Sequence, residues 1–151
     1  MAPKAPITLY YRNKLPGSDE YTAGYITETA EINGIPSLKY ISNQYMYKSD
    51  FETPTTDIIN LLGSRVPKND DVGQPSSFLE TLTIISKPYQ RENVSNMITA
   101  TANYIDSGST SVTVVDYVNY TVTGASGKFA GYKNVKIIYD KDQIKRTVIL
   151  S

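Results

Sequence analysis

Val122-Thr123-Gly124-Ala125-Ser126-Gly127-Lys128-Phe129-Ala130-Gly131 places three glycines and one aromatic residue between two runs of β-forming residues. Upstream, Ser111 to Thr123 is rich in Val, Thr and Tyr, and downstream Tyr132 to Tyr139 is similar, so the chain must reverse here between strands. Gly124 and Gly127 are read as supplying positive φ, and Gly131 as opening the next strand where a side chain would crowd a neighbour. Phe129 is the large apolar group of the turn, available to plug the end of a sheet or barrel. An ordinary glycine-rich hairpin loop reads the same spacing equally well. Gly124 to Lys128 also spells Gly-x-x-Gly-Lys, but a phosphate-binding loop needs a wider glycine spacing, a Ser or Thr after the lysine, and a helix. Here Phe129 and a strand follow.

Strand patterns continue in both directions. Ile7 to Arg12, Tyr21 to Thr29, Leu38 to Tyr47, Phe78 to Ser86, Ser95 to Ile105, Ser111 to Thr123, Tyr132 to Tyr139 and Gln143 to Leu150 are eight β-branched or aromatic runs bounded by Gly, Pro, Asn or Asp. Asn33-Gly34 and Asp106-Ser107-Gly108-Ser109 are hairpin signals. Eight strands closed on themselves would leave no edge open to aggregation. The expected fold class from these runs is all-β, with residues 1–151 forming one domain.

Ser49 to Ser77 does not fit a minimal barrel. Pro54, Pro67, Pro75, Gly63, Gly73 and the run Lys68-Asn69-Asp70-Asp71 read as a long loop or arm, with one or two helical turns at Asp57 to Leu62. It would serve as a lid over the barrel mouth, as an arm reaching a neighbouring subunit, or as a plain surface loop.

Composition excludes several functions. Fifteen basic residues balance fifteen acidic ones with no long run of like charge, so no nucleic-acid footprint exists, and the small self-repulsion favours self-association. Cysteine and histidine are both absent, which removes thiolate nucleophiles, the Ser-His-Asp arrangement and most metal sites. No metal and no cofactor is expected, and any catalysis falls to Asp, Glu, Lys, Tyr or binding alone. No stretch approaches the length of a membrane span and the N-terminal residues show no secretory signal, so a cytoplasmic protein or one held within an assembly is expected. Thirteen tyrosines carry most of the aromatic content; a ring with a polar tip suits a wet strand face, a lumen or an interface.

On the strand from Val112 to Val122 the even positions are Val112, Val114, Asp116, Val118, Tyr120 and Val122, so one carboxylate interrupts an apolar face. Two readings are open. In a partly wet lumen, Asp116 is the candidate catalytic acid or base, with Tyr104 and Tyr120 completing a ligand-binding set. If a bulge at Val115 to Asp116 shifts the register, Asp116 faces solvent.

The sequence Thr123-Gly124-x-Ser126-Gly127-x-Phe129-x-Gly131 resembles the hallmark hairpin of the allene oxide cyclase-like and dirigent-like β-barrels. The similarity runs from about Ile98 to Leu150: a strand ending in an aromatic, Ile98 to Tyr104, then a strand with an acid, Asp116, then the glycine motif Gly124, Gly127, Phe129 and Gly131. The first half matches more loosely. Asn134 stands where the family usually has a further glycine, Ile7 to Arg12 lacks the acid of the plant cyclases, and their early cysteine is absent. The resemblance implies a single closed antiparallel β-barrel of about eight strands, often trimeric, whose lumen binds a small hydrophobic molecule for catalysis or for steering a coupling or cyclisation.

Two functions are thus expected. One is a small hydrophobic-ligand-binding barrel, a cyclase or isomerase. The alternative is a non-enzymatic building block of a larger assembly such as a virus particle, in keeping with a composition rich in Asn, Ile, Lys and Tyr that suggests an AT-rich genome.

Overall fold

The computed structural model describes residues 4–14, 16–17, 25–32, 35–67, 76–86, 96–106, 115–142 and 144–151, with backbone alone at 25–32, 35–38 and 67. Among the described residues nine strands follow one another: β1 (Ile7–Arg12), β2 (Tyr25–Ile32), β3 (Ile35–Tyr47), β4 (Pro54–Pro67), β5 (Ser76–Ile85), β6 (Met97–Asp106), β7 (Tyr117–Ser126), β8 (Asn134–Tyr139) and β9 (Lys145–Leu150). Every pairing is antiparallel, in the order β1-β9-β8-β7-β6-β5-β4-β3-β2, and Tyr10 pairs with Tyr47 to join β1 back to β3. Eight strands therefore close a barrel, as the sequence predicts, while β2 lies beside β3 as an added strand. Among the described residues no helix is long and apolar enough to cross a membrane.

The segment expected as a loop or arm contains β4, which corrects that expectation together with the helical turns at Asp57 to Leu62. Pro54 and Pro67 stand at the two ends of the strand, where a missing N–H is tolerated. Ile58, Ile59, Leu61 and Leu62 then alternate across the barrel wall: Ile59 is fully buried and Leu62 is exposed. The Asn33-Gly34 and Ser107 to Ser109 turn signals and the run Lys68 to Asp71 lie outside the described residues.

Strand alternation builds the core. On β5 the even positions Glu80, Leu82 and Ile84 point inward, and on β6 Ile98, Ala100 and Ala102 do. Val118, Val135, Ile137, Val148 and Leu150 complete the packing from β7, β8 and β9. Each buried aliphatic side chain of this kind stabilises the fold by about 1.5–3 kcal/mol.

The glycine stretch closes one end of this barrel. Between β7 and β8 the chain makes one 3-10 turn, Gly127–Phe129, and Phe129 is fully buried against the core. Gly127 and Gly131 have positive φ, 62° and 94°, as left-handed backbone requires. Gly124 does not, contrary to the sequence reading. It lies at a β-bulge, where Thr99 faces Gly124 and Ala100 faces Val122, leaving Thr123 as the extra residue. The amides of Lys128 and Ala130 are spent on Asn96 Oδ1 and Gly127 O, at 3.0 and 3.1 Å, so neither is offered to a phosphate. The N-terminal segment clasps the turn: Lys4 Nζ donates to Ala130 O at 2.6 Å, and Tyr132 Oη donates to Ala5 O at 2.6 Å.

Candidate functional site

Four inward-facing positions on adjacent strands form a row across the barrel wall: Tyr40 pairs with Gly63, Gly63 with Glu80, and Glu80 with Ala102. Gly63 and Ala102 carry almost no side chain, so the space on either side of Glu80 is left for rings from neighbouring strands. Tyr40 Oη donates to Glu80 Oε2 at 2.5 Å, and Tyr120 Oη donates to Oε1 at 2.7 Å. Tyr104 lies within hydrogen-bonding reach of both Glu80 and Tyr40, and Tyr139 within reach of Tyr120. Glu80 itself is 6% exposed. A buried carboxylate is tolerated only where its lone pairs are satisfied, and here phenols satisfy them.

The aromatic lining continues toward the end of the barrel opposite Phe129. Phe78 and Tyr104, cross-strand partners, stack with centroids 5.0 Å apart and planes 4° from parallel. Tyr40 meets Phe78 edge-on at 6.4 Å. All three rings are half-buried, in contrast to the sealed half around Leu82, Ile84 and Phe129. Deeper on the far wall, the Arg146 guanidinium lies 4.7 Å over the Tyr139 ring and is itself buried.

This environment raises the phenol pKa values. Burial is the first cause for Tyr40, Tyr104, Tyr120 and Tyr139, with the charge of Glu80 contributing to each. Tyr11 is pushed up by burial as well, against the pull of Arg146. The five hydroxyls stay protonated and act as donors across the neutral range.

Of the residues singled out in the sequence, Tyr104 and Tyr120 come together and Asp116 does not join them. Asp116 is exposed at the bend before β7, its carbonyl accepting a hydrogen bond from the Tyr139 amide at 2.9 Å. Side chains alternate from Val118 onward, but the strand begins only at Tyr117, which leaves Asp116 outside it and exposed. The lumen reading of Asp116 is therefore corrected to the solvent-facing one. The acid that does interrupt an inward face is Glu80, and the signal was present: Phe78, Glu80, Leu82, Ile84 and Ser86 alternate on one strand.

Comparison of the chain with family models, with curated proteins and with solved structures finds no match.

Proposed function

We propose that this barrel binds a small hydrophobic molecule in the half of its lumen walled by Tyr40, Phe78 and Tyr104, above the phenol-bound Glu80. The observation that carries this reading is the contrast between the two halves. One is packed solid with aliphatic side chains and Phe129, and the other is lined by half-buried rings around a polar centre. Small-molecule sites combine those features, a mostly apolar wall with a few fixed polar groups. The resemblance to allene oxide cyclase-like and dirigent-like barrels points the same way, and in a cyclase or isomerase of this type Glu80 would take the acid–base role first sought at Asp116.

The test is fluorescence titration with the neutral probe N-phenyl-1-naphthylamine. Saturable binding should be lost in Phe78→Ala and Tyr104→Ala and kept in the outer-wall variant Thr81→Ala. Binding that ignores both aromatic substitutions would defeat the proposal.

A second reading, a building block of an oligomer or of a larger particle, draws on the outer wall. From Ile58 to Val66 on β4, and along β5 and β6, no outward-facing residue is charged, and Leu62, Leu79 and Ile105 are 48%, 57% and 68% exposed. These three lie diagonally across adjacent strands, within reach of one another. Sedimentation of Leu79→Asp against the parent chain tests it: a loss of oligomer supports this reading, and a monomer in both cases removes it.

A further inference from the structure

Resting on the lumen-binding reading above, we infer that the ligand is a planar aromatic molecule bearing an anionic group. The inward face of β5 is a ladder of changing chemistry. Leu82 and Ile84 belong to the packed half, Glu80 is tied to two phenols, Phe78 stacks on Tyr104, and the last rung is Ser76. Ser76 is 1% exposed, and among the described residues its Oγ has no hydrogen-bond partner. A buried hydroxyl left unpaired is costly, and it is the group a ligand would satisfy.

Arg65 stands beside this ladder. It is the cross-strand partner of Phe78, shares the inward parity of Gly63, and is half-buried. Among the described residues it forms no ion pair. Glu80 is not a competing handle, because Tyr40 and Tyr120 occupy its two oxygens and commit their own hydroxyl hydrogens to those bonds. Asp106, the cross-strand partner of Ser76, is buried and already engaged. Among the described residues the free donors at this end are therefore Arg65 and Ser76, one of them cationic, beside the flat wall of Phe78 and Tyr104. Donors beside a ring stack select a planar acceptor: the ring lies on the stack and the anion meets the guanidinium.

The experiment compares 1-anilinonaphthalene-8-sulfonate with N-phenyl-1-naphthylamine, which has the same rings without the sulfonate. Arg65→Gln should weaken the anionic probe by about tenfold, the equivalent of one charge-assisted contact, and leave the neutral probe unchanged. Arg65→Lys should restore part of the loss, Ser76→Ala should weaken the anionic probe by a smaller factor, and added salt should weaken the anionic probe selectively. Circular dichroism of each variant controls for folding. Equal loss of both probes in Arg65→Gln, or no loss of either, would overturn the anion assignment while leaving lumen binding in place. Failure of both probes to bind the parent chain, or binding that persists in Phe78→Ala, would bring down the lumen reading and this inference with it.

Discussion

The ring of Tyr40 occupies the space that a side chain on Gly63 would need: a Cβ built there would lie 2.8 Å from Tyr40 Cε2 and closer still to Cζ and Oη. Gly63 is thus what allows Tyr40 to lie across β4 and reach Glu80.

Gly63→Ala should therefore act on the phenol network and not on strand propensity. Overpacking of this kind costs about 1–3 kcal/mol, measured as a lowered urea midpoint. Tyr40→Ala in the same chain should remove the clash, so the double mutant should be less destabilised than the sum of the two single changes.

Glycine substitutions in the closing turn should rank by backbone conformation. Gly127→Ala and Gly131→Ala each force left-handed backbone on an L-residue, at about 1–2 kcal/mol. At Gly131 the added Cβ would also press on Lys4 Cδ at 3.1 Å. Gly124→Ala meets only Thr99 Oγ1, at 3.3 Å, and should cost less than either. Phe129→Ala, which empties the plug, should exceed all three at about 3–5 kcal/mol in thermal or urea denaturation.

Alkaline titration should divide the thirteen tyrosines. Tyr11, Tyr40, Tyr104, Tyr120 and Tyr139 have folded-state pKa values raised above the ordinary 10.0, by burial first. Their contribution to stability is complete below pH 10.0 and is lost as pH rises beyond it, since the unfolded chain releases protons that the folded chain retains. Absorbance at about 295 nm should thus show these five ionising only with unfolding, in one cooperative step. Independent titration of all thirteen near pH 10.0 would contradict the network.

Acid should act elsewhere, on the turn between β3 and β4. Asp50 accepts from Thr53 Oγ1 at 2.6 Å and from the amides of Thr53 and Glu52 at 2.9 Å. These bonds lower its pKa from 3.8 to about 2. The contribution is present above pH 3.8 and fades as pH falls toward about 2. The stability gap between the parent chain and Asp50→Ala should shrink across that window, and a constant gap would rule the effect out.

The β character of the chain and the position of Phe129 were legible in the sequence because alternation and turn chemistry are local, whereas closure of the barrel was legible only through the resemblance carried by the glycine hairpin. β4 was not, because Pro54, Gly63 and Pro67 carry the usual marks of a loop. The two prolines turn out to stand at strand ends, and Gly63 is small because a ring from β3 lies over it, a tertiary reason that no local window contains. Glu80 is a different case. The alternation that singles out Asp116 singles out Glu80 on β5 equally, but only the order of β3 to β7 around the barrel brings Tyr40 and Tyr120 together on Glu80. Where a strand starts decided the rest: the exposed Asp116 immediately precedes Tyr117, the first position of β7.

The pairing of β1 with β9 has a consequence for how the chain is made. Six residue pairs, from Ile7 with Leu150 to Arg12 with Lys145, join the first of the nine strands to the last, whereas a single pair joins β1 to β3. During synthesis β1 leaves the ribosome early and must wait, nearly unpartnered, until β9 has emerged. β2 to β8 can zip in order as neighbours, but the cylinder cannot seal before its final strand arrives. Closure is therefore a step of high contact order, and the first strand stays largely unpaired until it is made.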